Sequence, residues 1–182
     1  MDQSSIQSLS KQGEKAFKAG NFLEAANLFE QAAKLYTQNS DMLNAAEMAN
    51  NRSVALLQAG NAQGALEAAQ NTELVFAQAG DVKRQAIAIG NQAAALEALN
   101  RLEEALTRFW ECSDLLKGIG EKEYRAMVLK NISTLQLRTG RHFQAVASMD
   151  AALGNQRKLT PREWLLKKLL QKPMDILNAR NK

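Results

Sequence analysis

The chain is short of the residues on which most protein chemistry depends. In 182 residues it has one cysteine, Cys112, and one histidine, His142. A single thiol excludes an internal disulfide and a cysteine-based zinc site. A single imidazole removes most catalytic triads and histidine-rich metal sites. Proline occurs only at Pro161 and Pro173, so no helix-breaking ring stands before residue 161. Val, Ile and Thr together number 17, too few for a sandwich or barrel. The longest uncharged stretch, Ser53–Leu66, has 14 residues and contains Gln, Asn and Gly. A membrane helix needs about 20 apolar residues. The first residues, Met1 to Lys11, include Asp2 and lack the apolar core of a signal peptide. A soluble, cytoplasmic protein is the expectation. No enzyme, metal or cofactor is expected.

What the chain has in abundance is alanine and leucine. There are 30 Ala and 25 Leu, both strong helix formers. Charge is distributed unevenly. Residues 1–120 carry 10 basic and 14 acidic side chains, whereas residues 121–182 carry 13 and 5.

The decisive pattern is a repeat. Gly20, Gly60, Asn100 and Gly140 are 40 residues apart, as are Ala25, Ala65, Ala105 and Ala145, and Asn51, Asn91 and Asn131. Between them fall Ser40-Asp41, Gly80-Asp81 and Gly120-Glu121 at the same spacing. Each unit therefore has two breaks and two helices. Gly and Asn tolerate the left-handed conformation that ends a helix. The acid at the second break suits a helix start. First helices are predicted near 5–19, 42–59, 82–99 and 121–139, and second helices near 22–38, 62–78, 102–117 and 142–154. Four units, about 1–40, 41–80, 81–120 and 121–156, occupy residues 1–156. Residues 157–182 form a basic amphipathic capping helix and tail. Thr160-Pro161-Arg162-Glu163 is a helix-starting signal with Thr as cap and Glu closing a capping box.

These residues resemble the tetratricopeptide repeat (TPR). Gly20, Ala25, Phe29 and Ala32 follow its Gly-x4-Ala-x3-Phe-x2-Ala pattern, with Leu9 and Gly13 at matching places in the preceding helix. The second and fourth units depart from it, with Ala69 and Met149 at the aromatic position. The usual unit has about 34 residues. The 40-residue length and the Asn in each first helix resemble Leu-Gly-Asn and kinesin-light-chain arrays. The second Asn of the Leu-Gly-Asn signature is replaced by Val54, Ala94 and Thr134. The resemblance implies an all-α solenoid of four antiparallel helix pairs (a TPR superhelix) with a C-terminal capping helix. It also implies a protein-interaction scaffold whose Asn side chains line a concave groove and hydrogen-bond the backbone of a partner peptide.

Helical spacing from the Asn series assigns the candidate groove to Asn50, Asn51, Val54, Gln58, Ile87, Asn91, Ala94, Met127, Lys130, Asn131, Thr134 and Arg138. An amide has donors and an acceptor, so it can satisfy a peptide backbone. It can equally join neighbouring helices and hold units in register, and both readings stay open. The stretches NRSVALLQAGN and AAALEALNRLEEA also resemble chaperone-binding TPR domains, whose clamp of Lys, Asn and Arg falls at Ser10, Glu14, Asn51, Ile87 and Asn91; only Asn51 keeps the clamp residue, so an acidic chaperone tail is not expected to bind. Cys112 occupies a packing position and is expected to be buried. The sharper alternative for residues 160–177 is a basic helix acting on a membrane surface or in self-assembly. Nucleic acid is disfavoured, since no charged stripe follows the repeats.

Overall fold

The computed structural model describes the backbone of residues 3–156 and 158–180, and side chains over 5–156 and 158–170. Among these residues there are ten helices and no strand. They are α1 (Gln3–Lys18), α2 (Phe22–Gln38), α3 (Met42–Gln58), α4 (Ala62–Ala69), α5 (Thr72–Gln78), α6 (Val82–Ala98), α7 (Leu102–Gly118), α8 (Lys122–Arg138), α9 (His142–Asn155) and α10 (Pro161–Arg180). The chain forms two compact units, residues 1–108 and 109–182, and α7 runs from one into the other.

Helix ends explain this regularity. The N–H groups of Asn21, Asp41, Asn61, Asp81, Arg101, Glu121 and Arg141 each donate to the carbonyl five residues earlier, at 2.7–3.0 Å. This is the closing bond of a Schellman turn. The residue before each donor takes positive φ, +82° at Gly20, +60° at Ser40 and +58° at Asn100. Ser40 carries a Cβ in that conformation, at a cost of about 1 kcal/mol. The accepting carbonyls belong to residues 16, 36, 56, 76, 96, 116 and 136, all buried. The chain thus turns every 20 residues, at both breaks expected in each 40-residue repeat. Asp41 and Asp81 cap the next helix as expected, accepting from Asn44 N–H (3.1 Å) and Arg84 N–H (2.9 Å). Glu121 makes no such cap bond.

Packing follows the small-large alternation. Ala25 and Ala65 are fully buried, which lets paired helices approach closely. In the first unit, Ile6, Phe29, Tyr36, Met48 and Leu56 build the core among these alanines. Gly13 lies against the Phe29 ring, where an added Cβ would sit 2.7 Å from Cε1. In the second unit, Leu129, Ile132 and Leu135 of α8 are buried with Ala145, Ala152 and Leu153 of α9. Ser133 Oγ donates to the Ala145 carbonyl at 2.7 Å.

One predicted helix is broken. The span 62–78 was expected to be continuous, but Gln70 is extended (ψ 130°) and Asn71 is left-handed (φ +63°). The reason is tertiary. The break releases the Ala69 carbonyl, which accepts from Thr72 Oγ1 (2.7 Å) and from Gln92 Nε2 of α6 (2.8 Å). It also turns Glu73 inward, 8% exposed, where its carboxylate accepts from Gln92 Nε2 (2.6 Å) and Arg108 Nη2 (3.3 Å). Asn is a tolerant residue at positive φ, and no aromatic ring at position 69 holds the helix in line.

Candidate functional site

The Asn series occupies equivalent places on α3, α6 and α8, but the three amides have different surroundings. Asn91 Nδ2 donates to Asn50 Oδ1 at 3.2 Å, joining α6 to α3. Asn50 in turn donates to the Ala46 carbonyl at 3.2 Å and is 6% exposed. Both residues are spent on internal register, which leaves Asn50 little surface for a partner. The side-chain amides of Asn51 and Asn131 make no hydrogen bond among the described residues, and Asn131 is exposed.

Asn51 and Val54 of α3 line a cleft of about 370 Å³ in the first unit. Glu14, Phe17 and Lys18 of α1, Phe29 of α2 and Glu47 of α3 complete it. Phe17 and Phe29 supply apolar surface. Glu14 and Lys18 bring opposite charges to the mouth, and Glu47 is paired with Arg84 at 2.9 Å. Arg84 also bonds Asp81 (2.7 Å) and sits 5.2 Å from the Phe76 ring centroid. The Arg84 N–H and guanidinium hold the Asp81 carboxyl below its ordinary range. Ile87 and Ala94 of α6 are half-buried, and Gln58 is exposed at the end of α3.

The remaining candidates lie on α8 in the second unit. Met127 is 61% exposed, and Thr134 and Arg138 are exposed. Thr134 Oγ1 donates to its own helix, at the Lys130 carbonyl. Lys130 is already engaged. Its Nζ contacts Glu163 Oε1 of α10 at 2.7 Å. The expected capping box is present, with Thr160 N–H on Glu163 Oε2 (2.9 Å) and Glu163 N–H on Thr160 Oγ1 (3.3 Å). Lys130 first, and then the Thr160 N–H and hydroxyl, hold the Glu163 carboxyl at about 2 against an ordinary 4.5. A depressed carboxylate contributes above its unfolded pKa and loses that contribution as pH falls through the folded one. The seating of α10 should therefore weaken between about pH 4.5 and pH 2. Trp164 emission in a Trp110→Phe background follows this step, and Glu163→Gln should flatten it.

Sequence reasoning did not find the polar cleft beside the helix break. It measures about 380 Å³ and includes Glu73, Gln92, Arg101, Glu104 and Arg108. Arg101 forms a two-pronged pair with Glu104, both bonds 2.7 Å. The one signal available was Ala69 at the aromatic position. No group of three or more His, Cys, Asp or Glu among the described residues could hold a metal. Cys112 is buried, as expected. Neighbouring Tyr124 is pushed up to about 12, by burial first and then by Cys112. No described helix is long and apolar enough to cross a membrane.

Comparison with solved structures decides the fold. The chain is similar to a crystal structure of nearly identical TPR-like repeats from a Podosopora anserina protein described as a kinesin light chain. The TM-score is 0.73 at 16% identity, over 98% of this chain and 94% of that one. The fold is a TPR-like α-solenoid. No family profile matches the sequence, and no curated protein does. In a solenoid of this type the first helices are α1, α3, α6 and α8, and the candidate Asn residues stand on three of them.

Proposed function

We propose that the chain is a protein-interaction scaffold that holds an extended peptide segment of a partner on the surface of its first helices. One observation carries this reading. Asn51 keeps its amide unspent at the edge of a cleft with an apolar floor, while Asn91 and Asn50 bond each other. An unspent amide beside an apolar pocket can pair with a peptide backbone while a side chain enters the pocket. Phe17 and Val54 would receive an apolar anchor, and Glu14 would favour a cation next to it. On α8 of the second unit the exposed Asn131 has the exposed Met127 one turn before it. Surface of this kind, with paired acids and bases and a lone histidine, suits recognition rather than catalysis.

The test is a peptide-library screen on the wild type and on three single variants. Asn51→Ala should weaken captured peptides about tenfold, the worth of one good hydrogen bond with its desolvated partner. Its melting temperature should not move. Asn91→Ala should instead lower the melting temperature, because it opens the bond to α3. Asn131→Ala reports on the second unit separately. If Asn51→Ala captures the same peptides as the wild type with equal strength, the clamp reading is wrong.

A further inference from the structure

The last helix is seated the wrong way round for a helix in water. On α10 the residues turned toward the fold are Glu163, Lys167 and Leu170, spaced i, i+4, i+7 and each half-buried. The residues turned to solvent are Leu165 (53% exposed), Leu166 (37%) and Leu169 (64%), with Trp164 (52%) at the side. An amphipathic helix normally does the opposite. The inversion has a local cause: Glu163 is anchored by Lys130 and by Gln156 Nε2 (3.3 Å), which fixes the rotation of the helix and leaves the leucines outside. The sequence predicts an amphipathic helix whose apolar face covers the last repeat; among the described side chains of α10, Leu170 is half-buried, whereas Trp164, Leu165, Leu166 and Leu169 are exposed. Lys172, Met174, Ile176 and Leu177 lie outside the described side chains.

We infer that this outward face of α10 docks on an anionic lipid surface. Charge argues for that occupant over a second copy of the chain. Arg162 falls on the leucine face, one turn before Leu165 and Leu166, and Lys168 borders it. The single acid of this helix among its described side chains, Glu163, is turned inward and neutralised by Lys130. Across residues 157–182 there are 8 basic and 2 acidic side chains. Two such faces pressed together would oppose like charges. A bilayer of acidic headgroups satisfies the cations while the leucines enter the acyl boundary, and Arg and Lys can extend to the headgroup level. Lys168 Nζ lies 4.1 Å from the Trp164 ring centroid, so an aromatic ring and a cation already sit together, as at a membrane interface. The helix is too polar to span. It would lie flat, with a length of about 30 Å in the plane of the surface.

The experiment uses the full chain carrying Trp110→Phe, so that Trp164 is the sole indole. Vesicles of phosphatidylcholine alone are compared with vesicles of equal parts phosphatidylcholine and phosphatidylserine. Sedimentation and a blue shift of Trp164 emission are expected with the anionic vesicles and should decline as salt is added. Leu165→Gln with Leu169→Gln should weaken that binding by about tenfold or more. Arg162→Gln with Lys168→Gln should weaken it and flatten its salt dependence. All four positions are exposed, and the charge pair leaves the leucines in place, so it carries the test even if the leucine pair disturbs folding. The inference is overturned if anionic vesicles neither sediment the protein nor shift its emission. It is overturned equally if both vesicle types bind alike. A blue shift that appears without lipid, grows with protein concentration and tracks a dimer in light scattering would assign the face to a second copy.

Discussion

Gln92→Leu should cost the first unit about 3 kcal/mol, measured by urea denaturation at neutral pH. One amide nitrogen there serves two acceptors, the Ala69 carbonyl at 2.8 Å and Glu73 Oε2 at 2.6 Å. Leucine has similar bulk and no donor. Its introduction would leave a buried carboxylate with a weakened set of partners, Arg108 at 3.3 Å among them, and would thin the support of the helix break. Stranding one member of a buried polar group costs more than forming the group gains. The corollary separates this cause from lost packing. Glu73→Leu combined with Gln92→Leu should cost clearly less than the two single changes added together. The balance is not one-sided, because Gln92 Oε1 is itself buried without a hydrogen-bond partner among the described residues. An additive double variant would show that the amide and the carboxylate act independently.

Phe29→Ala should cost about 4 kcal/mol, the usual loss for a fully packed aromatic ring. Phe29 is 3% exposed and lies in the core with Ile6, Tyr36, Met48 and Leu56. Its neighbours on α2 are alanines, which are too short to move into the space it would leave. Gly13→Ala alone should cost about 2 kcal/mol, since a Cβ there meets the ring edge at 2.7 Å. In the Phe29→Ala background that same methyl enters vacated space and should cost nothing or stabilise. Melting of the two single variants and the double variant completes the cycle. If Gly13→Ala is equally harmful with and without the ring, the close approach is not what selects glycine.

Most helix boundaries were legible because they are written locally. Gly20, Ser40, Gly60, Gly80, Asn100, Gly120 and Gly140 each precede a closing hydrogen bond to a carbonyl only five residues back. The break at Gln70-Asn71 was not legible, because its donors come from Gln92 on another helix. Gln92 and Glu73 look like ordinary solvent-facing residues of amphipathic helices, and nothing in their own neighbourhood marks them as buried. The candidate site divides in the same way. Equal spacing identified Asn51, Asn91 and Asn131 as one series. Spacing could not reveal that Asn91 has a hydrogen-bond partner at position 50, whose equivalents in the third and fourth repeats are Gly90 and Lys130. The orientation of α10 was equally hidden, since an ion pair between Lys130 and Glu163 sets it rather than its leucine content.

The 20-residue turn rhythm has a consequence for how the chain can be cut and rejoined. Every helix from α1 to α8 except the broken α4 is terminated by, or leads into, the same closing bond, so the joints are interchangeable in geometry even where their residues differ. Ser40 and Gly80 occupy equivalent joints, each followed by an aspartate that caps the next helix. Excising residues 41–80 would place Asp81 directly after Ser40 with no change in local conformation at the seam. The bonds that cross units, such as Asn50 to Asn91, span a single unit of sequence. A chain built this way can assemble in the order in which it emerges from synthesis, each new helix finding its partner before the next one is complete.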